Sequence, residues 1–198
     1  AQNENPVGRL TVMIGAGALG TDAAVSIHRI DVADIAAQAG LPIPAPGVLQ
    51  AVGAFKLDIG DASSNYPLQL AMPVQAGIST QPGDEVLFFR KGTVLTPDGG
   101  SRETWWLVDN GYVGADGVAR TASPPYGGVD SSGEYLVTSG IPGVIGSGSG
   151  ALLGAGQWLD LGGFALGGGL SGANISSDLI GSLVSSASSV TAGSYHFG

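Results

Sequence analysis

Between residues 66 and 139 the chain alternates short apolar runs with turn signals, and this alternation constrains the fold more than any other feature. The runs recur about every 10 residues, as strands do in antiparallel sandwiches and barrels. The predicted strands are residues 68–72, 85–90, 103–108, 118–122 and 134–138. The turns predicted between them are 81–84, 96–101, 110–111 and 115–117, where Gly, Pro, Asn and Asp are concentrated. The pattern predicts a mainly β fold built as an antiparallel β-sandwich.

The first 61 residues extend this pattern with three more predicted strands and one helix. The strands are predicted at 10–14, 24–30 and 53–59. The helix is predicted at 32–39, ending at Gly40, because glycine suits the residue that follows a helix. A proline-rich connection follows at 41–47. Residues 6–139 are therefore predicted to form the β-sandwich region, either as one unit or as two subdomains divided near residues 62–66.

Gly15, Gly17 and Gly20 form a G-x-G-x-x-G pattern directly after an apolar run. In a dinucleotide-binding domain such glycines open a helix, and an acidic residue follows about 20 positions later. Here the residues after Gly20 alternate between apolar and polar types, which predicts a strand instead of a helix. Asp31 comes too early for the acidic position and Asp58 too late. An NAD-type enzyme is therefore the least favoured function.

Residues 140–198, called the tail below, are rich in Gly, Ser, Ala and Leu, and the only carboxylate side chains among them are Asp160 and Asp178. The apolar residues spread through the tail make it too hydrophobic for a solvated linker. A membrane span needs about 20 consecutive apolar residues, and Gln157 and Asp160 interrupt this one. A short helix is predicted within 174–190. We expect the tail to pack against its own sheets or against a neighbouring subunit.

The charge balance narrows the choice of partners. Among 198 residues there are 7 Lys and Arg against 16 Asp and Glu, a net charge of −9. Nucleic acids and anionic membrane surfaces attract clustered basic residues, so neither is an expected partner. The chain has no Cys, which excludes disulfides and thiolate metal sites. Low charge with 35 Gly suits a β-rich chain that buries surface in an assembly.

The sequence predicts no catalytic residue. His28 and His196 are the only histidines, and Ser171 lacks the preceding strand and the His–acid pair of a serine nucleophile. Calcium is the one candidate ion. Its candidate ligands are four aspartates in or beside the predicted turns, Asp98, Asp109, Asp116 and Asp130. Turn formation is the alternative explanation for aspartates at such positions.

Aromatic residues are the candidate partner contacts. Phe88 is followed by Phe89, and Trp105 by Trp106, in predicted strands. Because adjacent strand residues point to opposite faces of a sheet, one member of each pair is expected in the core and the other on the outer face. The tail would cover that outer face. The candidate contact residues are Trp105, Trp106, Trp158 and Phe164.

Residues 14–19 read Ile-Gly-Ala-Gly-Ala-Leu between two predicted strands. They resemble the Ile-Pro-Ala-Gly-Ala-Leu phrase of the ankyrin and netrin-receptor (ZU-type) sandwich family and its bacterial relatives in secreted surface and Rhs-type proteins, with Gly15 in place of the proline. Residues 67–70, 73–74, 82–86, 106–109, 121–129 and 132–137 resemble the companion module of such proteins. The resemblance covers about residues 7–138. It implies β-sandwich modules in a secreted or cell-surface protein and says little about activity.

Some of those relatives cleave themselves at a His-Phe-Ser sequence. This chain has His196-Phe197-Gly198, and the glycine lacks the hydroxyl that attacks the preceding carbonyl. We therefore read these residues as an ordinary stretch of chain.

Three functions follow from these observations. The first is a non-enzymatic, extracellular or cell-surface structural protein that forms homo-oligomers, with the tail packing on a neighbouring subunit in a filament or layer. The second is a stalk or plug module of a larger Rhs-like toxin or adhesin polyprotein. The third is the NAD-type enzyme described above.

Overall fold

The computed structural model describes residues 9–41, 49–95, 99–124 and 126–139, together with the backbone of short strands between residues 151 and 194. The strands before residue 140 are β1 (Thr11–Met13), β2 (Ser26–Ile30), β3 (Ala51–Asp58), β4 (Ser63–Pro73), β5 (Glu85–Leu95), β6 (Ser101–Val113), β7 (Val118–Thr121), β8 (Val129–Ser131) and β9 (Gly133–Ser139), and α1 is Val32–Ala39. The tail strands are β10 (Ala151–Leu152), β11 (Gln157–Leu161), β12 (Phe164–Gly167), β13 (Asn174–Ile175) and β14 (Val190–Ser194). The predicted mainly β architecture is confirmed.

Eight strands form one antiparallel sheet in the order β1-β4-β7-β6-β5-β9-β3-β2, and β8 pairs with β4. The sheet curves until β3 and the end of β4 approach each other. There Gln75 N donates to Val52 O at 2.9 Å, and the side chain of Met72 lies against Gly53. The two layers of the predicted sandwich are thus opposite walls of one nearly closed sheet. Strands from both sides of residues 62–66 belong to it.

Apolar side chains from all walls fill the interior of this sheet. The interior cluster contains Val52, Phe55, Leu57, Ile59, Leu68, Leu70, Met72, Val86, Phe88, Val113, Ala119, Val129, Tyr135 and Val137. Phe55 and Tyr135 are opposed on β3 and β9, and their rings stack with centroids 4.8 Å apart and planes 6° apart. Stacking of this kind contributes about 0.5–1.5 kcal/mol beyond the area it buries.

The helix predicted at 32–39 is confirmed as α1. Asp31 caps its first turn, with Oδ1 accepting from Ala33 N at 2.8 Å. Gly40 ends it in the left-handed conformation, with φ 68°, and donates its N–H to the carbonyl of Ala36. Ile35 is buried but is not part of the interior cluster, and α1 contacts β3 and β9. The helix therefore packs on the outside of the sheet.

The segment around Gly15, Gly17 and Gly20 is a turn between two strands. Gly17 has φ 74°, and Leu19 makes an isolated bridge to Ser64 of β4. No helix follows these glycines, since the chain continues to β2 without one. The strand predicted at 24–30 is confirmed, and the helix that a dinucleotide-binding turn requires at this place is not formed.

The turn predicted at Asn110-Gly111 is wrong, because both residues lie inside β6. Glycine is needed there for a different reason: a Cβ at Gly111 would overlap the carbonyl oxygen of Arg120 on β7. The turn predicted at 115–117 is confirmed, with Gly117 at φ 71°. The strands β5 and β6 therefore make a longer hairpin than their apolar runs predict, and β8 was not predicted.

The tail contributes strands to the main sheet. β11 pairs with β12 and β14, and β12 pairs with β6, while β10 and β13 pair with each other. The short helix predicted within 174–190 has strand residues at both of its ends, Asn174–Ile175 and Val190, and its middle, 176–189, lies outside the described residues.

Candidate functional site

One of the two edges of β6 is only partly paired with strands of the main sheet. On one side, β5 pairs with β6 from Ser101 to Tyr112. On the other side, β7 pairs only with Gly111–Val113. The remaining part of that side is where the tail attaches. β12 pairs in parallel with β6, with Phe164 opposite Trp105 and Ala165 opposite Trp106.

All four predicted contact residues lie on the strands of this attachment. Trp105 and Phe164 are register partners across β6 and β12. Trp158 lies on the next strand, β11, opposite Gly167 of β12. The backbone pairing thus brings Trp105, Phe164 and Trp158 into one local sheet, and Trp106 is beside Trp105. The side chains of Trp158 and Phe164 lie outside the described part of the chain.

Both faces of the sheet are buried near this attachment. Phe88 belongs to the interior cluster, whereas Phe89, Leu107 and Trp105 share the opposite face and are also fully or almost fully buried. As predicted, one member of the Phe88–Phe89 pair points to the outer face of the sheet, and that member is Phe89. That outer face is covered instead of being open to solvent, and Trp106 is half-buried.

The attached strands follow the order β12-β11-β14. β11 pairs with β14 along its whole length, from Gln157 opposite Ser194 to Leu161 opposite Val190. Within the described part of the chain β14 pairs with β11 alone. The tail thus extends the sheet sideways from β6 by three strands.

A second notable group surrounds Asp109, inside the main sheet. The register of β6 steps from Phe88 opposite Asp109 to Phe89 opposite Leu107, so Val108 is an extra residue in a β-bulge. Opposed residues share a face, so Asp109 points into the interior with Phe88. Asp109 is fully buried. The strand geometry therefore places a carboxyl group in an apolar interior.

The carboxyl of Asp109 holds the loop between β7 and β8. Oδ1 accepts from Ser123 Oγ at 2.5 Å and from Asn110 N at 2.8 Å. Oδ2 is buried and accepts no hydrogen bond from the described residues. Burial raises the pKa of Asp109 to about 6, against the opposing effect of the hydrogen bonds from Ser123 and Asn110.

Tyr126 lies in the same loop and close to this carboxyl. Its hydroxyl is buried and has no hydrogen-bond partner among the described residues. Burial raises the pKa of Tyr126, and the charges of Glu85 and Asp109 raise it further. Ser123, Tyr126 and Glu85 were not predicted as site residues. The only sequence signal was Asp109 itself, which follows an apolar run and was read as a turn aspartate.

Two of the other predicted calcium ligands, Asp116 and Asp130, have partners of their own. Asp116 binds Arg120 at 2.6 Å between Oδ2 and the guanidinium, and this hydrogen bond lowers the pKa of Asp116 to about 2. Asp130 accepts from Ser131 Oγ. Asp98 lies outside the described residues. Within the part of the chain that the structure describes, no three acidic or histidine side chains form a metal-binding group.

An open cleft of about 550 Å³ lies between residues 21–26 and 58–62. Asp22, Asp58 and Asp61 line it. Asp58 Oδ1 accepts from Gly60 N at 2.8 Å. Asp58 therefore shapes the turn after β3, as its position in the sequence suggests.

Comparisons with known proteins give no relative. The chain matches no protein-family model, and neither the curated proteins nor the solved structures contain a match to it. The resemblance to ZU-type and Rhs-type modules stays a prediction. Within the described part of the chain, no helix has the length and hydropathy needed to cross a membrane.

Proposed function

We propose that the chain is a non-enzymatic structural module of an extracellular or cell-surface assembly, and that its tail strands add to the sheet of a neighbouring copy. One observation carries this proposal: β12 adds to the part of β6 that β7 leaves unpaired, opposite Trp105 and Trp106. Strand addition supplies main-chain hydrogen bonds and covers an edge that otherwise invites pairing with other chains.

The sequence between the two partners suits an exchange of tails. Residues 140–150 separate β9 from the first tail strand and read Gly-Ile-Pro-Gly-Val-Ile-Gly-Ser-Gly-Ser-Gly. Exchange of an identical element between copies is a low-cost route to dimers, so the same pairing can be made within one copy or between two. The low charge of the chain and its lack of Cys support the extracellular setting only indirectly.

Cysteine cross-linking tests the proposal directly, because the chain has no Cys of its own. Trp106→Cys and Ala165→Cys place thiols at register partners of β6 and β12. The two single variants are mixed and oxidised. A disulfide between the two variants forms only if β12 of one copy pairs with β6 of another. Thr93→Cys, at an exposed position of β5, mixed with Ala165→Cys is the control for random collision.

The two outcomes separate assembly from a self-contained fold. Cross-linked dimers in the first mixture and none in the control support exchange of tails. A chain that carries both Trp106→Cys and Ala165→Cys tests the alternative. If only this double variant cross-links, and does so within a monomer, the tail completes its own sheet and the proposal is wrong. Light scattering of the full chain beside a version ending at Ser139 gives an independent check, since the proposal expects assembly of the full chain alone.

A further inference from the structure

The side chain of Asp109 links β6 to the β7–β8 loop, beside two main-chain hydrogen bonds between them. Ala122 N donates to Asn110 O at 2.8 Å, and Gly128 N donates to Val108 O at 2.8 Å. These two bonds tie the beginning and the end of the β7–β8 loop to β6. Between them, the hydrogen bond from Ser123 to Asp109 is the side-chain contact that holds the loop against the interior.

Among the described residues, no cationic side chain contributes to the surroundings of Asp109. Phe88 and Val137 of the interior cluster are aligned with it across β5 and β9. The titratable groups that face this region are Tyr126 of the loop and Glu85 of β5, both of which are neutral or negative. On β7, the guanidinium of Arg120 is bound to Asp116 near the surface. An ionised carboxylate in this place has the hydrogen bonds from Ser123 and Asn110 but no facing cation among the described residues, so its burial is costly.

We propose that Asp109 is a proton-controlled latch: the protonated carboxyl keeps Ser123 and the β7–β8 loop closed on the interior, and loss of the proton opens the loop to water. Protonation removes the buried charge, while Oδ1 still accepts from Ser123 and Asn110. Ionisation leaves Oδ2 charged and without a donor among the described residues, and water can supply that donor. Opening of the loop, by breaking the bonds of Ala122 and Gly128, brings that water in.

The direction of the pH effect follows from linkage. The pKa of Asp109 in the folded chain, about 6, is higher than its ordinary value of 3.8. The closed state therefore binds the proton more tightly than the open state does. Closure is fully favoured below pH 3.8 and is lost as the pH rises through about 6. A difference of this size corresponds to a change on the order of 100-fold in the opening equilibrium.

The carboxyl titration can be measured on the unmodified chain. With aspartate labelled by ¹³C at the carboxyl, one signal is expected to titrate near pH 6 and to disappear in Asp109→Asn. Ser123→Ala should move it to a higher pH, because a donor to the carboxylate is lost. If the Asp109 signal titrates in the range of ordinary surface aspartates, the proposal is overturned. This reading does not depend on any variant retaining its fold.

Hydrogen exchange then tests the latch itself. We expect the protection of the Ala122 and Gly128 amides, corrected for intrinsic exchange, to fall on the order of 10-fold between about pH 5 and about pH 8. In Asp109→Asn it should stay constant. Asp116→Asn makes the same chemical change at a surface ion pair and should keep the wild-type dependence. Equal pH dependence in wild type and Asp109→Asn would show that Asp109 does not control the loop.

Discussion

The thioether end of Met72 lies in the space where Gly53 has no side chain. A Cβ on Gly53 would come within 2.7 Å of Met72 Sδ. Met72 is on β4 and Gly53 on β3, and both strands border the seam where the curved sheet nearly closes. The missing side chain on one wall therefore lets a long one from the other wall fill the seam.

This fit predicts coupling between the two residues. Gly53→Ala should destabilise the fold by about 1–3 kcal/mol through overpacking, and Met72→Ala by about 2–5 kcal/mol through a cavity. The double variant should cost less than the sum, since each change relieves the other. Denaturant unfolding of the four proteins measures the coupling. Additive free energies would contradict the proposed contact.

Gly111→Ala should be among the most damaging small substitutions in the chain. The added Cβ would overlap the backbone of Arg120, which cannot rotate away as a side chain can. We expect a loss of about 3 kcal/mol or more, with weakened pairing of β6 and β7. Gly15→Ala is the matched control, because nothing lies within 4 Å of a Cβ there. Thermal unfolding compares the two, and equal midpoints would refute this role for Gly111.

The cap of α1 predicts an asymmetric response of two neighbouring aspartates. Asp31→Ala removes the acceptor for Ala33 N and should cost about 1 kcal/mol. Asp34→Ala, in the first turn of the helix, removes only a favourable charge near the helix N-terminus and should cost about 0.3 kcal/mol. Urea unfolding of both variants checks the order. A larger effect at Asp34 would contradict the cap assignment.

The ion pair of Asp116 and Arg120 predicts a pH dependence opposite in direction to that of Asp109. The pKa of Asp116 is lowered from 3.8 to about 2, so its contribution to stability is present above pH 3.8 and is lost as the pH falls towards 2. The difference in stability between wild type and Asp116→Asn should be constant at neutral pH and vanish in acid. The pair is exposed, so we expect a small difference that salt reduces further. A difference at pH 2 as large as that at neutral pH would exclude this cause.

Periodicity in the sequence was enough to predict most strands and the helix α1. Alternation in 24–30 and the glycine after 32–39 are local signals, and the structure follows them at β2 and α1. The curvature that brings Gly53 under Met72 depends on pairing between distant strands, so no local pattern reveals it. Asn110-Gly111 shows the same limit. It is a strong local turn signal, but the close approach of Arg120 determines its place inside β6.

The candidate site was predicted less completely than the fold. Trp105 and Trp106 were identified by their size and position, and the tail does attach beside them. The glycine-rich sequence of the tail has no pattern that predicts the parallel pairing between β12 and β6. Asp109 was named for a turn that does not exist, because a single extra residue, Val108, turns its side chain into the interior. A bulge of this kind depends on the register with β5 and not on the sequence of β6 alone.

The pairing of β12 with β6 also affects the order in which parts of the fold form during synthesis. All strands of the eight-strand sheet lie before residue 140, and the tail strands come after it. A chain that leaves the ribosome N-terminus first can close the sheet while the tail is still unmade. During that interval the stretch of β6 around Trp105 has an unpaired edge and an uncovered tryptophan, which are the features that promote aggregation. We therefore expect the yield of native protein to depend on how soon the tail arrives.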